Sequence, residues 1–319
     1  MPVYIPSQLG YYRDAFKIFK ACVDSLVKTT DRDALDITII DNASIPEVYQ
    51  YVEPLLKSRD VDRYIHNSIN RGKADAIIAQ AKASYEPFVT ISDADVLFLP
   101  GWLHQVEEIY QAFPDSGVVC PFPAVHLRHY HCVSTWFNHF LRIKRGPCVN
   151  EHDLITFERT IGPQKHLSES DYRAQWSISN GNVVALIGAG HFVATYRRSA
   201  FDEFTYKPRR FRLRGGLAEI EAHVDALGFS RLSCVRNHVL HMGNVWEEWM
   251  GNNIPKVEIR SDQKISLDVC RRGSWARWMP GSVRATVAYL LLAYDKCLEH
   301  GLWNLIERRF GRRSVRMRS

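Results

Sequence analysis

Over the first 120 residues, short apolar and β-branched runs alternate with stretches whose apolar residues recur at helical spacing. That alternation predicts βαβ units and a mainly parallel central sheet. Strands are expected over residues 3–6, 36–40, 63–65, 87–92 and 117–121, and helices over 11–27, 46–56, 74–83 and 102–113. In the first helix Phe16, Phe19, Cys22, Val23 and Leu26 fall on one face. Residues 124–180 are rich in His and aromatics and show no clear period, so they are expected to be irregular and to serve as binding elements. Order is expected again over 183–186 and 191–196, then in a helix over 217–227 that Gly228 stops.

Near the end, residues 287–294 form an apolar run of only about half of the ~20 residues a membrane-crossing helix needs. With Leu298, Leu302, Trp303, Leu305 and Ile306 it suggests helices that rest on a surface or pack as a hairpin. The six arginines within residues 308–319 equal the whole net charge of +6. The body is therefore close to neutral, which argues against a nucleic-acid partner and leaves an anionic membrane surface as the partner that suits the tail. No basic-then-apolar leader opens the chain, so a cytoplasmic location is expected. Seven scattered cysteines without a Cys-x-x-Cys pair read as reduced thiols.

The chemistry concentrates where strands are expected to end. Asp93 and Asp95 follow the strand over 87–92, and their spacing can turn both carboxylates to one side. Paired hard oxygens suit Mn²⁺ or Mg²⁺ bridging a diphosphate, although a turn that only caps the next element reads the same way. Asp41-Asn42-Ala43-Ser44 closes an earlier strand and Asn70-Arg71-Gly72-Lys73 another segment, so polar clusters recur along one sheet edge. Arg71 and Lys73 would suit donor phosphates, or be surface charges. His126, His129, His131 and His139 lack metal-ligand spacing and read as acceptor-loop or surface histidines. Trp246 and Trp249 offer sugar-stacking faces, or core packing.

In this order, Asp41-Asn42-Ala43-Ser44, Asn70-Arg71-Gly72, Asp93-Ala94-Asp95, Gly188-Ala189-Gly190-His191, Arg197-Arg198-Ser199-Ala200-Phe201, the acidic helix before Gly228 and His241-Met242-Gly243 resemble the GT-A glycosyltransferases of family 2. The likeness covers roughly residues 2–245, and implies a GT-A domain over 1–245 with a donor half to about 120 and an acceptor half beyond. A C-terminal helical extension would fill 246–319. By that resemblance Asp41 accepts a hydrogen bond from the nucleotide base, Pro6 and Ser7 line the same pocket, and Asn70, Arg71 and Lys73 face the donor. In Asp93-Ala94-Asp95, Asp93 looks like the ribose or metal-water partner and Asp95 like the metal ligand, while His241 completes the metal site with His238 as rival. Gly190 and His191 would meet the acceptor.

An inverting transfer needs a general base. Glu219, nine residues before Gly228, takes that place, with Glu221 as runner-up, though Leu217-Ala218 stands where a leading acid is expected. The reaction implied is transfer of a sugar from a nucleotide-sugar, a UDP-sugar being favoured, to a hydroxyl of a polysaccharide or glycolipid. Two alternatives stand beside it. A nucleotidyltransferase would carry a Gly-rich phosphate loop after its first strand, where Ser7-Gln8-Leu9-Gly10-Tyr11-Tyr12 has one glycine. A non-catalytic carbohydrate-binding or membrane-scaffold protein would release no nucleotide.

Overall fold

The computed structural model describes residues 1–31, 33–162, 166–205, 217–255 and 274–298. The chain divides into two compact units, Met1–Arg277 and Trp278–Ser319. The first runs past residue 245, where the sequence suggested the transferase domain would end. Its elements are β1 (Pro2–Val3), α1 (Ala15–Thr29), β2 (Thr38–Asn42), α2 (Pro46–Ser58), β3 (Arg63–Asn67), α3 (Lys73–Ala83), β4 (Phe88–Ser92), β5 (Val96–Phe98), α4 (Trp102–Ala112) and β6 (Ser116–Cys120). There follow α5 (Val133–His139), β7 (Lys144–Gly146), α6 (Glu151–Ile161), α7 (Glu169–Arg173), β8 (Gln175–Asn180), β9 (Val183–Ile187), β10 (Val193–Arg197), α8 (Leu217–Ala226), β11 (Ser230–Ser233), β12 (Val239–His241) and α9 (Glu248–Asn253).

The fold is mixed α/β with a central sheet flanked by helices, as the pattern of the chain predicts. Strand direction is more varied than the expected mainly parallel sheet. β1, β2 and β3 form a parallel three-stranded sheet, and β6 pairs parallel with β11. The other neighbours in the seven-stranded sheet, ordered β4-β10-β6-β11-β9-β8-β7, run antiparallel, as does the separate pair β12-β5. The antiparallel order enters because later strands insert beside earlier ones, β10 between β4 and β6 and β12 beside β5, and because a tight turn joins β8 to β9.

Residues 124–180 are not irregular. They hold α5, α6, α7, β7 and β8. The helices are short, and polar residues interrupt the apolar period of β8: Gln175 and Ser177 are buried there. Gln175 is tolerated because its Oε1 accepts from the N–H groups of Cys148 and Val149 while its Nε2 donates to the Asp171 carbonyl. A capping box at Ser168 and Asp171 starts α7.

The core joins the buried face of α1 (Ile18, Phe19, Cys22, Val23, Leu26) to β5 and α4. α2 begins with Pro46 at its first turn, where the missing N–H costs nothing. α8 stops ahead of Gly228, whose φ of +84° suits glycine, and a Cβ there would meet the Ser274 carbonyl oxygen at 2.7 Å. In the second unit, α10 (Gly281–Cys297) contains the apolar run 287–294. The rest of the expected hairpin and the arginine-rich tail lie outside the described residues. Among the described residues no helix is long and apolar enough to cross a membrane.

Trp102 is fully buried against Phe98, and its indole N–H donates to Thr30 Oγ1. Trp102→Ala is expected to lower unfolding free energy by about 3–5 kcal/mol through the cavity it leaves and the orphaned hydroxyl. Urea denaturation checks this, and an unchanged midpoint would show that the contact between α1 and α4 is dispensable.

Candidate functional site

Parallel pairing brings the ends of β2 and β3 together, with Asp41 opposite His66 and Asn42 opposite Asn67. Beyond β2 the chain turns through Ala43, a non-glycine residue at φ +66°, which folds the Ser44 N–H back onto Asp41 Oδ1 at 2.8 Å. Asp41 Oδ2 accepts from Tyr64 Oη at 2.6 Å and lies 2.8 Å from His66 Nδ1. Burial would raise this carboxyl, but the hydrogen bonds from Tyr64, Ser44 and His66 outweigh it and hold it below the usual carboxylate range. The Tyr64 phenol is in turn pushed up by burial and by Asp41.

A string of polar contacts leads from there to the aspartate pair. Asn67 Nδ2 donates to Asn42 Oδ1, and Asn42 Nδ2 to the Gly72 carbonyl, while Asn70 Oδ1 accepts the Gly72 N–H. Lys73 opens α3 and forms an ion pair with Asp93. Asn70 and Arg71 are exposed beside it, Ala94 is half-buried between the aspartates, and Pro6 and Ser7 lie past the end of β1, exposed and half-buried.

Asp95 is placed by a different device. β12 pairs antiparallel with β5, His241 opposite Val96, and the Met242 N–H donates to the Asp95 carbonyl at 2.7 Å. His241 Nε2 thereby comes to 3.5 Å from Asp95 Oδ2. The rival His238 sits at the other end of β12, its carbonyl taken by the Leu99 N–H, so the pairing selects His241 as the neighbour of Asp95. Burial pushes the Asp95 carboxyl up, with His241 pulling it down and Asp93 adding to the rise. Asp95 Oδ1 and His241 Nδ1 are buried without a hydrogen-bond partner. This donor set fits a divalent cation that takes its remaining ligands from phosphate and water. Among the described residues no group of three or more His, Cys, Asp or Glu side chains is arranged to hold a metal.

The acid helix α8 presents its two glutamates differently. Glu219 is half-buried, whereas Glu221 is 1% exposed and pairs with Arg231 Nη2 at 3.2 Å. Arg231, itself 0% exposed on β11, also donates to the Ala189 carbonyl. His191 Nδ1 is 3.8 Å from Glu221 Oε1, and Glu221 Oε2 has no partner. Gly188 and Gly190 let this loop lie flat: a Cβ on Gly188 would meet the Leu127 backbone at 2.9 Å, and one on Gly190 would strike the Phe122 ring. Two residues on, Phe192 accepts the Asp93 N–H through its carbonyl and packs edge-on against His241. The structure thus links Asp93, His241, His191 and Glu221 through one short segment.

Other expectations fare differently. Lys17 Nζ sits 4.0 Å from the Trp246 ring centroid, and the Trp246 N–H donates to Asp14, so one face of that indole is taken. His139 is not a surface or loop residue: it is buried against Asp115 and Ser230, both at 3.1 Å. Burial pushes His126 down to about 4. Sequence reasoning missed Arg231 and His66. Their signals were a lone charge inside an otherwise buried strand and a strand that runs two residues further than its apolar part. A cavity of about 470 Å³ beside β2, α3 and β4 is lined by Met1, Thr38, Ile40, Ile77, Val89 and Thr90 among others, and none of the predicted site residues lines it.

Residues 11–161 match the family model described as glycosyl transferase family 2, and over that segment the chain is family 2-like. The match takes in Asp41, Asp93 and Asp95 but stops short of Glu219, Glu221 and His241. No curated protein matches the chain. Among solved structures, residues 1–349 of S. aureus TarS in complex with UDP-GlcNAc are 13% identical with a TM-score of 0.45, over 78% of this chain and 59% of that one. The mannosyltransferase PcManGT from Pyrobaculum calidifontis, in complex with GDP-Man and Mn²⁺, is 18% identical with a TM-score of 0.40, over 77% and 57%. The chain spans less than two thirds of the length of either.

Breaking the interior ion pair tests how the acid is held. Arg231→Met is expected to cost about 3–5 kcal/mol of stability by stranding Glu221, and the double variant with Glu221→Gln to cost clearly less than the sum of the singles. Urea midpoints of the four proteins decide it, and additive costs would mean that the two side chains do not interact.

Proposed function

We propose that this chain, family 2-like over residues 11–161, is a metal-dependent, inverting glycosyltransferase of the GT-A type that moves a sugar from a nucleotide-sugar, a UDP-sugar being favoured, to a hydroxyl of a polysaccharide or glycolipid. The observation that carries this reading is the placement of His241 beside Asp95, which gathers a carboxylate, an imidazole and the Lys73–Asp93 pair at the rim.

In this reading Asp95 and His241 hold Mn²⁺ or Mg²⁺ with the donor diphosphate. The bound ion supplies charge neutralisation for the departing nucleotide. Asp93 orients the donor, and the Lys73 ammonium, released from it in part, faces phosphate. Gly190 and His191 border the acceptor. The proton of the attacking hydroxyl goes to a glutamate of α8. Glu221 is favoured over Glu219 here, because Glu221 is fixed by Arg231, keeps one oxygen unpartnered and neighbours His191. Trp246, with one face against Lys17, has only its other face for a sugar.

Calorimetric titration tests the donor site. UDP or GDP is expected to bind with Mn²⁺, to bind at least about tenfold more weakly with chelator, and to lose the metal dependence in Asp95→Ala. Failure of both nucleotides to bind the folded wild type would put the non-catalytic carbohydrate-binding or scaffold reading in front. For the base, Glu221→Gln is expected to lower kcat by about 100-fold or more with nucleotide affinity unchanged, and Glu219→Gln to do much less. The reverse order would return the role to Glu219.

The arginine-rich tail is assigned to an anionic membrane surface, which would keep the enzyme peripheral on the cytoplasmic face, near a lipid-borne acceptor. Removing residues 308–319 is expected to weaken sedimentation with anionic vesicles at low salt, and unchanged sedimentation would dismiss this role.

A further inference from the structure

We propose that His66, and not Asp41, is the residue that reads the nucleotide base, through the lone pair on its Nε2, with Asp41 acting behind it as a positioning residue. This rests on the nucleotide-sugar reading above and goes beyond it in naming the reader and the class of base.

Asp41 is not free to meet a ligand. Its side chain is 3% exposed, and both of its oxygens already have partners. Oδ2 takes the Tyr64 hydroxyl and faces the His66 ring nitrogen, and Oδ1 takes the Ser44 N–H. A base would reach this buried carboxylate only by displacing the groups that cover it, which would leave buried polar atoms unpaired.

His66 has the opposite character. Its side chain is 57% exposed, yet one edge is anchored 2.8 Å from Asp41. Asp41 is an ionised carboxylate that only accepts, so the ring nitrogen facing it carries the proton. In the neutral ring the other nitrogen, Nε2, is then an acceptor. Parallel register puts this ring at the rim: His66 is paired with Asp41, and the next residues, Asn67 and Asn42, lead through Gly72 to Lys73 and Asp93. Reader and phosphate-facing groups therefore belong to one connected edge.

An outward-facing acceptor selects a base that offers a ring N–H. Uracil offers one at N3 and guanine one at N1, whereas cytosine and adenine present a bare nitrogen at the corresponding place. A bare nitrogen facing Nε2 sets lone pair against lone pair. Donors built on uracil or guanine are accepted and those built on cytosine or adenine rejected.

The test is calorimetric binding of UDP, GDP, CDP, ADP and N3-methyl-UDP to the full chain with Mn²⁺. UDP or GDP is expected to bind about tenfold or more tightly than CDP and ADP, and methylation at N3 to remove that advantage. His66→Lys, which offers donors only, is expected to lose the preference of UDP or GDP over CDP, and His66→Gln, which offers an amide oxygen, to keep part of it. Asp41→Asn is expected to blur the preference while leaving metal-dependent binding of the diphosphate. If UDP or GDP binds and the preference persists in His66→Lys, His66 is not the reader, and the nucleotide-sugar reading survives. If no nucleotide binds the folded wild type, both readings fall together.

Discussion

A carboxylate taken out of water has to be matched by a cation or by hydrogen-bond donors, and the polar rim of this protein is organised by that requirement. Asp41 is matched by Tyr64, His66 and Ser44, Asp93 by Lys73, and Glu221 by Arg231. Asp95 is matched least well. Its nearest cationic candidate is a histidine at 3.5 Å, which is too far for a good hydrogen bond, and one of its oxygens is buried and unpartnered. Burial pushes its carboxyl up. The deficit is local, in a rim whose other acids each have a close cation or hydrogen-bond donor, and a divalent ion with phosphate oxygens is the chemistry that would fill it.

What brings the deficit about is a two-stranded pairing between segments far apart in sequence. β5 and β12 are each three residues long, too short to hold together by their backbone bonds alone. Their stability comes from Val96, Leu97 and Phe98, buried against α1 and Trp102, with Val239 and Leu240 packed on the same core. Apolar burial sets the position of β5, backbone pairing hangs β12 on it, and His241 arrives beside Asp95 as a consequence. The charge chemistry at the rim is thus positioned by side chains that carry no charge.

The first half of the fold was readable because its elements obey the simple periods. The helices starting near Pro46 and at Trp102 and the strand before Asp93 were all expected within a residue or two. The middle was not readable, since buried Gln175 and Ser177 break the alternation that marks a strand, and only the tertiary hydrogen bonds of Gln175 explain why it is tolerated. The site shows the same division. Asp41, Asp93, Asp95 and His241 could be named from motif order. The choice of His241 over His238, the pairing of Glu221 with Arg231, and the enclosure of Asp41 each depend on strand register, which a single sequence does not reveal.

The segment from Gly188 to Phe192 shows how the two sides of the rim are kept in step. Arg231 holds the Ala189 carbonyl from inside, and the Phe122 ring and the Leu127 backbone leave no room for a side chain at Gly190 or Gly188. Two residues later the Phe192 carbonyl takes the Asp93 N–H, and the Phe192 ring meets His241 edge-on. A shift of this segment would therefore move His191 relative to Glu221 and Asp93 relative to His241 together. Small residues and a buried guanidinium make such a shift costly, since it would open a packed contact and strand a charge in the same movement. The spacing between Asp93 and the acid on α8 is in this sense a property of one short segment, and in the proposed reading it is the spacing that a transfer between two bound substrates would require.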